Sequence, residues 1–489
     1  MKYDTIVVGS GISGLCAALA LARHGKRVAL IEQAGHLAPL LRRFKRGGLW
    51  CDPGVHYVGG MHSTGPLAVM FRYLGLYDEI SSVPLNPDGY DAVHGPEPEP
   101  VRFPTGLAKV EEMLSARYPQ SRDAVSAYLQ QVATVHRLTP FLSFDLPVDA
   151  LAVRKPLFGE SLTSFLQRHG AESSLIEMLS KFGTLLYGVA GHECPFIVHA
   201  MVLGSFYHSA HAFYRGGNEV VDAFERGLKN AGVEVYRGRP AASLEVDHHG
   251  HVRGVVLEGG ERLAGDSCIC TVHPHLLPDL LPADSARPAF LKRIEHLQNT
   301  FGPLAVFLDV DESPAELMDS NAYFIGGGAE APLDNATFVA MGRPSAAAPG
   351  DRSALCLIRP LTPTSPPWEA YECGDRHDKV YEDYKRREVE RAIRLYYERF
   401  PDQGRCRVLE AATPCTYASY TGTGQGAAYG VKQSTTQTPL RTRTPLGGLV
   451  LAGQSVLAPG LLGAMISSFL AVCRILDPGP VWSELQRWR

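Results

Sequence analysis

The sequence predicts an α/β protein in which a discontinuous Rossmann-type domain is interleaved with an α+β domain, and three observations predict it. Within the first 32 residues a strand, a glycine-rich turn, a helix and a second strand follow one another, the βαβ order of a parallel sheet. The turn places glycines at positions 9, 11 and 14. Two later stretches, one starting near Tyr214 and one after residue 440, return to short apolar strands after long intervals of different character.

Residues 3–8 read as the first strand, 13–25 as its helix and 27–32 as the second strand. A basic stretch, residues 40–46, comes next, and residues 67–205 read as mostly helical, with apolar positions returning every three or four residues in 124–135 and 161–167. Helix 218–230 leads to strand 232–236 and a hairpin turning at Gly250, with its return strand over 252–257 and another strand over 267–272. Short strands and proline-rich loops, including 360–367, fill much of 281–440, with a charged helix at 377–399; strand 448–453 and helix 461–476 close the pattern. The division that follows gives residues 1–62, 214–280 and 441–489 to the nucleotide domain. Residues 63–213, mostly helical, and 281–440 go to the substrate domain.

Composition narrows the classes. The 47 Lys and Arg against 51 Asp and Glu leave a net charge of −4, so no basic surface points to nucleic acid. Ten scattered cysteines without CxxC or metal-ligand spacing, and no basic-then-apolar leader, read as reduced thiols of a cytoplasmic protein without a bound metal. Residues 446–473 carry no charge, but their glycines and Pro459 make them a strand, loop and helix rather than a membrane span.

Chemistry enters at Gly9-Ser10-Gly11-Ile12-Ser13-Gly14. The glycines allow a tight turn, close approach of backbone to a pyrophosphate, and tight helix packing, while the helix N-terminus offers unpaired N–H groups to phosphate. Ser13 belongs to the same turn, and Glu32 ends the second strand about 20 residues on, where a carboxylate accepts ribose hydroxyls. A second glycine-rich loop, Gly453-Gln454-Ser455 and then Pro459-Gly460-Leu461-Leu462-Gly463-Ala464-Met465, opens another helix near the end. Its N-terminus suits the negative charge of a reduced flavin, which favours FAD over NAD.

These motifs, with Asp52-Pro53-Gly54-Val55-His56-Tyr57, Thr413-Pro414, Tyr417, Tyr420-Thr421-Gly422 and Gly426-Ala427-Ala428-Tyr429-Gly430, resemble the phytoene desaturase, carotenoid isomerase and retinol saturase family of FAD-dependent oxidoreductases. Gly453-Gln454-Ser455 before Pro459-Gly460 is more similar to the retinol saturase and carotenoid isomerase branch. The resemblance implies that Gly9, Gly11, Gly14 and Glu32 hold the adenosine diphosphate half, with Ala241 at the adenine. It also implies Gly54 and His56 near the isoalloxazine, Gly453 and Gln454 at the phosphate and ribityl region, and Leu462, Gly463, Ala464 and Met465 at the pyrimidine edge. Arg43, within the cluster 42–46, stands near the flavin phosphates, meets anionic lipid or belongs to a plain solvated loop.

The implied activity is desaturation, saturation or flavin-dependent isomerisation of carbon–carbon bonds in a polyene or other long apolar substrate, with peripheral membrane contact and an unspecified electron donor or acceptor. His56, Tyr429 and Lys432 flank the motifs and are the candidates for proton transfer. Phe206, Tyr207, Phe213 and Tyr214 line an apolar tunnel or fill ordinary core, and His199, His208 and His211 pack or line a pocket. Two other readings stand beside this one: an amine-oxidase-like flavoprotein with a polar substrate, and a carrier like the Rab GDP-dissociation inhibitors.

Overall fold

Strand Val28–Glu32 is buried along its whole length and Lys2–Val8 along most of it, as expected of strands covered on both faces. In the computed structural model, which describes residues 2–148, 159–326, 337–342, 352–361, 379–437 and 439–489, they form the middle of a seven-stranded sheet. Glu234–Arg237, Val28–Glu32, Lys2–Val8 and Arg262–Cys270 run parallel in that spatial order. Leu449–Leu451 adds parallel to the end of Arg262–Cys270, whose first residues pair with the hairpin Ala241–Val246 and Val252–Leu257. One sheet is thus assembled from three separated stretches of chain.

Helices Ile12–Arg23, Gly217–Asn230 and Gly460–Val472 cover one face. Ile12–Arg23 has nine consecutive buried residues, mostly small, which lets Gly460–Val472 lie close beside it. Ser13 Oγ donates to the Ala464 carbonyl at 3.0 Å, and Ser468 Oγ stands 2.9 Å from the Ser13 carbonyl. The two helix N-termini are therefore held side by side at the same end of the sheet.

The second seven-stranded sheet runs, in space, Cys406–Ala412, Gly302–Val310, Leu355–Leu361, Phe338–Met341, Asn321–Phe324, Asp91–His94 and Val101–Phe103. All pairs are antiparallel except Asn321–Phe324 with Asp91–His94. Its side chains alternate as strand geometry requires: Leu304, Val306 and Leu308 pack with helix Lys379–Arg399, while Ala305 and Phe307 join the main core. Helices Ser173–Tyr187 and Phe196–His208 join that same core, opposite the sheet.

The region expected to be mostly helical also contains strands Ser82–Pro84, Asp91–His94 and Val101–Phe103. At three or four residues each they are too short to show a period of two, and partners remote in sequence define them. The charged helix starts at Lys379 among the described residues, and most of the proline-rich 360–367 lies outside them. The uncharged run 446–473 divides into strand Leu449–Leu451, a loop and helix Gly460–Val472. Among the described residues no helix is long and apolar enough to cross a membrane.

Candidate active site

The turn at residues 9–14 owes its shape to contacts that only glycine permits. Gly9 sits at φ +97°, and a Cβ there would stand 2.6 Å from Thr271 Oγ1. At Gly14 a Cβ would come within 1.8 Å of the Gly9 carbonyl oxygen, so this glycine serves the packing of helix on turn. Gly11 differs: nothing lies within 4 Å of its Cβ position. Gly453, at φ +124°, is nearly as open, its nearest neighbour being Thr271 O at 3.7 Å.

Both open positions face a cavity of about 840 Å³. Neither helix N-terminus there, Gly11 or Pro459, receives a side-chain cap, and neither helix has an acidic residue in its first turn. Two positive helix ends therefore converge on one space without a side chain to complement them, the setting for a diphosphate and an anionic ring edge. Glu32 lies at the same end, buried, fixed by the Ser10 N–H at 2.9 Å and the Ala34 N–H at 2.8 Å. The residues present fit FAD: open backbone, helix dipoles and one buried carboxylate tied to the turn and lining the same cavity.

Gly9, Gly11, Ser13, Glu32, Gly54, His56, Ala241, Gly453, Gln454, Leu462, Gly463 and Ala464 all line this cavity. Three expected residues do not, and Gly14 is one, for the packing reason just given. Met465 is fully buried in the main core, because one step along a helix from Ala464 turns a side chain about 100° away. Arg43 is drawn inward by Asp52, 3.3 Å from its Nε, with Ser353 and the Trp50 ring as further partners. Its neighbours Arg42 and Arg46 pair with Glu225 and Glu410, so the basic cluster is met by the protein's own acids.

Beyond the cradle the wall becomes apolar. Leu185 and Leu186 come from one helix, Met201, Val202 and Phe206 from the next, and Val339, Met341 and Ile358 from the facing sheet. Val202 and Phe206 are one helical turn apart and only partly covered, on a helix otherwise almost wholly buried: their free surface is the chamber. Phe206 is thus a wall residue. Tyr207 is core, bonded to Tyr128 at 2.8 Å, and Phe213 is buried; neither it nor Tyr214 reaches the chamber. His199 is enclosed between Tyr128 and Tyr187, at 2.7 and 3.0 Å, and no group of residues suited to a metal occurs among those described.

Of the proton-transfer candidates, His56 lies on the wall between cradle and chamber, and burial pushes its pKa down to about 4, leaving an uncharged ring at neutral pH. Tyr429 is also on the wall, but its hydroxyl donates to the Leu185 carbonyl at 2.8 Å. Lys432 is not: past the turn at Gly430 the chain carries it to an ion pair with Glu193. Lys432→Ala should therefore keep its flavin and turnover but lose about 1 to 3 kcal/mol of stability, because the Glu193 carboxylate it leaves is mostly buried, measured by absorbance, rate and thermal melting.

Sequence reasoning passed over Tyr57 and Tyr323, both on the chamber wall, and Asp91 behind them. Tyr57 closes the motif Asp52-Pro53-Gly54-Val55-His56-Tyr57 but was given no role there. Asp91, a lone acid beside the apolar pair Ala92 and Val93, was a visible anomaly, whereas nothing in the sequence marks Tyr323.

A family model described as flavin containing amine oxidoreductase matches residues 12–476. The all-trans-retinol 13,14-reductase of Macaca fascicularis is 27% identical over 547 aligned residues, covering 99% of this chain and 87% of that relative. The zeta-carotene-forming phytoene desaturase of Myxococcus xanthus is 25% identical over 344, covering 65% and 62%. Among solved structures, an oxidoreductase from Methanosarcina mazei has the same fold, with a TM-score of 0.67 at 16% identity over 96% of this chain and 99% of that one.

Proposed function

The chain belongs to the flavin containing amine oxidoreductase family and is an FAD-dependent oxidoreductase, and from that premise we propose that it reduces a carbon–carbon double bond of a retinoid-like or carotenoid-like polyene. The observation that carries this reading is the chamber: an apolar space continuous with the nucleotide cradle, walled by aliphatic and aromatic side chains. The relative aligned along nearly the whole chain is a retinol reductase by name, which supports reduction over the reverse reaction. Desaturation is the second reading, supported by the phytoene desaturase relative, and the same chamber serves it.

FAD, when bound, supplies hydride donation or acceptance at its N5. The rest is the protein's work. The turn at Gly9, Gly11 and Ser13 would hold the diphosphate and the second helix end from Leu462 to Ala464 the pyrimidine edge, while Glu32 would take the ribose and Ala241 the adenine. Gly453 and Gln454 would hold the phosphate and ribityl region, and Gly54 and His56 would lie near the isoalloxazine. The chamber binds a polyene by removing its surface from water, about 25 cal/mol for each Å² buried, and lays it in one direction. Its aliphatic lining keeps water from the reacting carbons. Such a substrate partitions into lipid, so the protein collects it as a cytoplasmic protein in peripheral contact with a membrane, and an external partner exchanges electrons with the flavin.

The test is to purify the protein, record its visible spectrum, and mix it anaerobically with a panel of polyenes in the oxidised and the dithionite-reduced form. A product that gains two hydrogens, formed only with reduced flavin, supports reduction. Bleaching of the oxidised flavin by a polyene moves the assignment to desaturation. Bleaching by amines alone would refute the polyene reading.

A further inference from the structure

Asp91 opens strand Asp91–His94 and is fully buried. In the parallel pairing of that strand with Asn321–Phe324, Asn321 lies beside it and donates from Nδ2 to Asp91 Oδ1 at 2.8 Å. The Asn321 side-chain oxygen is itself held by the Gly342 N–H at 2.9 Å, which fixes the amide and with it one carboxyl oxygen. The other oxygen, Oδ2, is 2.8 Å from Tyr57 Oη, which in turn is 2.6 Å from Tyr323 Oη. Both rings form part of the chamber wall and Asp91 stands behind them. The result is a line of three exchangeable protons running from a buried acid to the substrate space.

We infer that Asp91 is the proton reservoir of the reaction and that Tyr57 and Tyr323 carry its proton to the polyene, an inference that rests on the polyene reading above. Each phenol has a single proton to give, so the acid sets the direction of the whole line. With Asp91 protonated, it donates to Tyr57, Tyr57 donates to Tyr323, and the Tyr323 O–H is left to point at the chamber. With Asp91 ionised, Tyr57 turns its proton to the carboxylate and Tyr323 turns its own to Tyr57, leaving only acceptor lone pairs toward the substrate.

In the reducing direction one carbon of the double bond takes a hydride with its electron pair, originating from the reduced flavin. The other carbon takes the Tyr323 proton. Tyr57 replenishes Tyr323 and Asp91 replenishes Tyr57, so the step ends on one carboxylate and two neutral phenols. Desaturation reverses every move: a hydride leaves to oxidised flavin and the proton lost from the adjacent carbon ends on Asp91. Burial with no cation beside it among the described residues suits this role, pushing Asp91 up to about 7. The titratable groups facing it are Tyr57, Tyr323 and Tyr90, all raised by burial, and Asn321 is its other polar neighbour. Reduction therefore falls as pH rises through that value, while desaturation falls as pH drops through it.

The experiment uses the flavin-loaded enzyme and its Asp91→Asn, Asp91→Glu and Tyr323→Phe variants. Two things are read: kcat and KM against pH, and the infrared carbonyl band of protonated carboxylic acid without substrate. Asp91→Asn and Tyr323→Phe are expected to keep flavin and KM and to lose about 10²- to 10⁴-fold in kcat. Asp91→Asn should also flatten the limb near neutrality, and Asp91→Glu should restore part of the rate with a displaced limb. The wild type should show a carboxylic acid band that titrates near neutral pH and is missing in Asp91→Asn. A wild type that turns over polyenes with no such band, or an Asp91→Asn variant with intact kcat and pH profile, overturns the relay alone. A wild type that accepts no polyene while the band titrates as expected overturns the functional reading, and the relay's role in it falls too.

Discussion

Gly11→Val should fold as the parent does and purify without colour, its affinity for FAD reduced more than about a hundredfold, or roughly 3 kcal/mol. The backbone tolerates the change, because Gly11 has φ −56° and ψ 171°, angles open to any residue. The protein interior tolerates it as well, since nothing among the described residues lies within 4 Å of the new Cβ. What the three added carbons fill is the space before the uncapped helix end, where the phosphates must approach the backbone. Far-ultraviolet circular dichroism and thermal melting should match the parent, while titration with FAD should show little quenching of flavin fluorescence. Gly14→Val gives the contrast. Its Cβ would overlap the Gly9 carbonyl, so that variant should lose the turn itself and melt early or fail to accumulate. A Gly11→Val protein that binds FAD as tightly as the parent would show that the phosphates lie elsewhere.

The second large effect is expected at Val202. A glutamate there would place a carboxylate in the apolar chamber opposite Ile358 and Met341, with no Lys or Arg among the described residues of the wall to pair it. Leaving such a group unpaired costs several kcal/mol, so kcat/KM for a polyene should fall more than about a hundredfold. Flavin content should stay normal, because Val202 is part of the chamber and not of the glycine-lined cradle. Val202→Leu, which keeps the wall apolar, should cost less than about 1.5 kcal/mol. A gain in activity toward amines on Val202→Glu would instead point to a cationic substrate.

The nucleotide half was legible because its chemistry is carried by backbone. Gly9, Gly11 and Gly14 sit within six residues, and Glu32 is tied back to Ser10 across a single βαβ unit. Requirements of that kind, a left-handed φ or a close approach, leave a mark on residue type. Expectation and position part where neighbours in the chain are not neighbours in space. Met465 follows Ala464 but faces the core; Lys432 follows Tyr429 by three residues but lies beyond a turn; Arg43 sits in a basic run but is neutralised by Asp52.

The sequence by itself determined the fold class, the family and FAD. The chamber and its proton line were decided by tertiary structure. Asp91, Tyr57 and Tyr323 come from three distant segments, and they meet only because strand Asp91–His94 pairs in register with Asn321–Phe324 while residue 57 leads into the small strand Val58–Gly59. Leucine, valine and phenylalanine that face a chamber are the same residues that would fill a core, so no local pattern separates the two. Long-range packing alone leaves a space between helix Phe196–His208 and the second sheet, and that packing fixes which side chains the substrate meets.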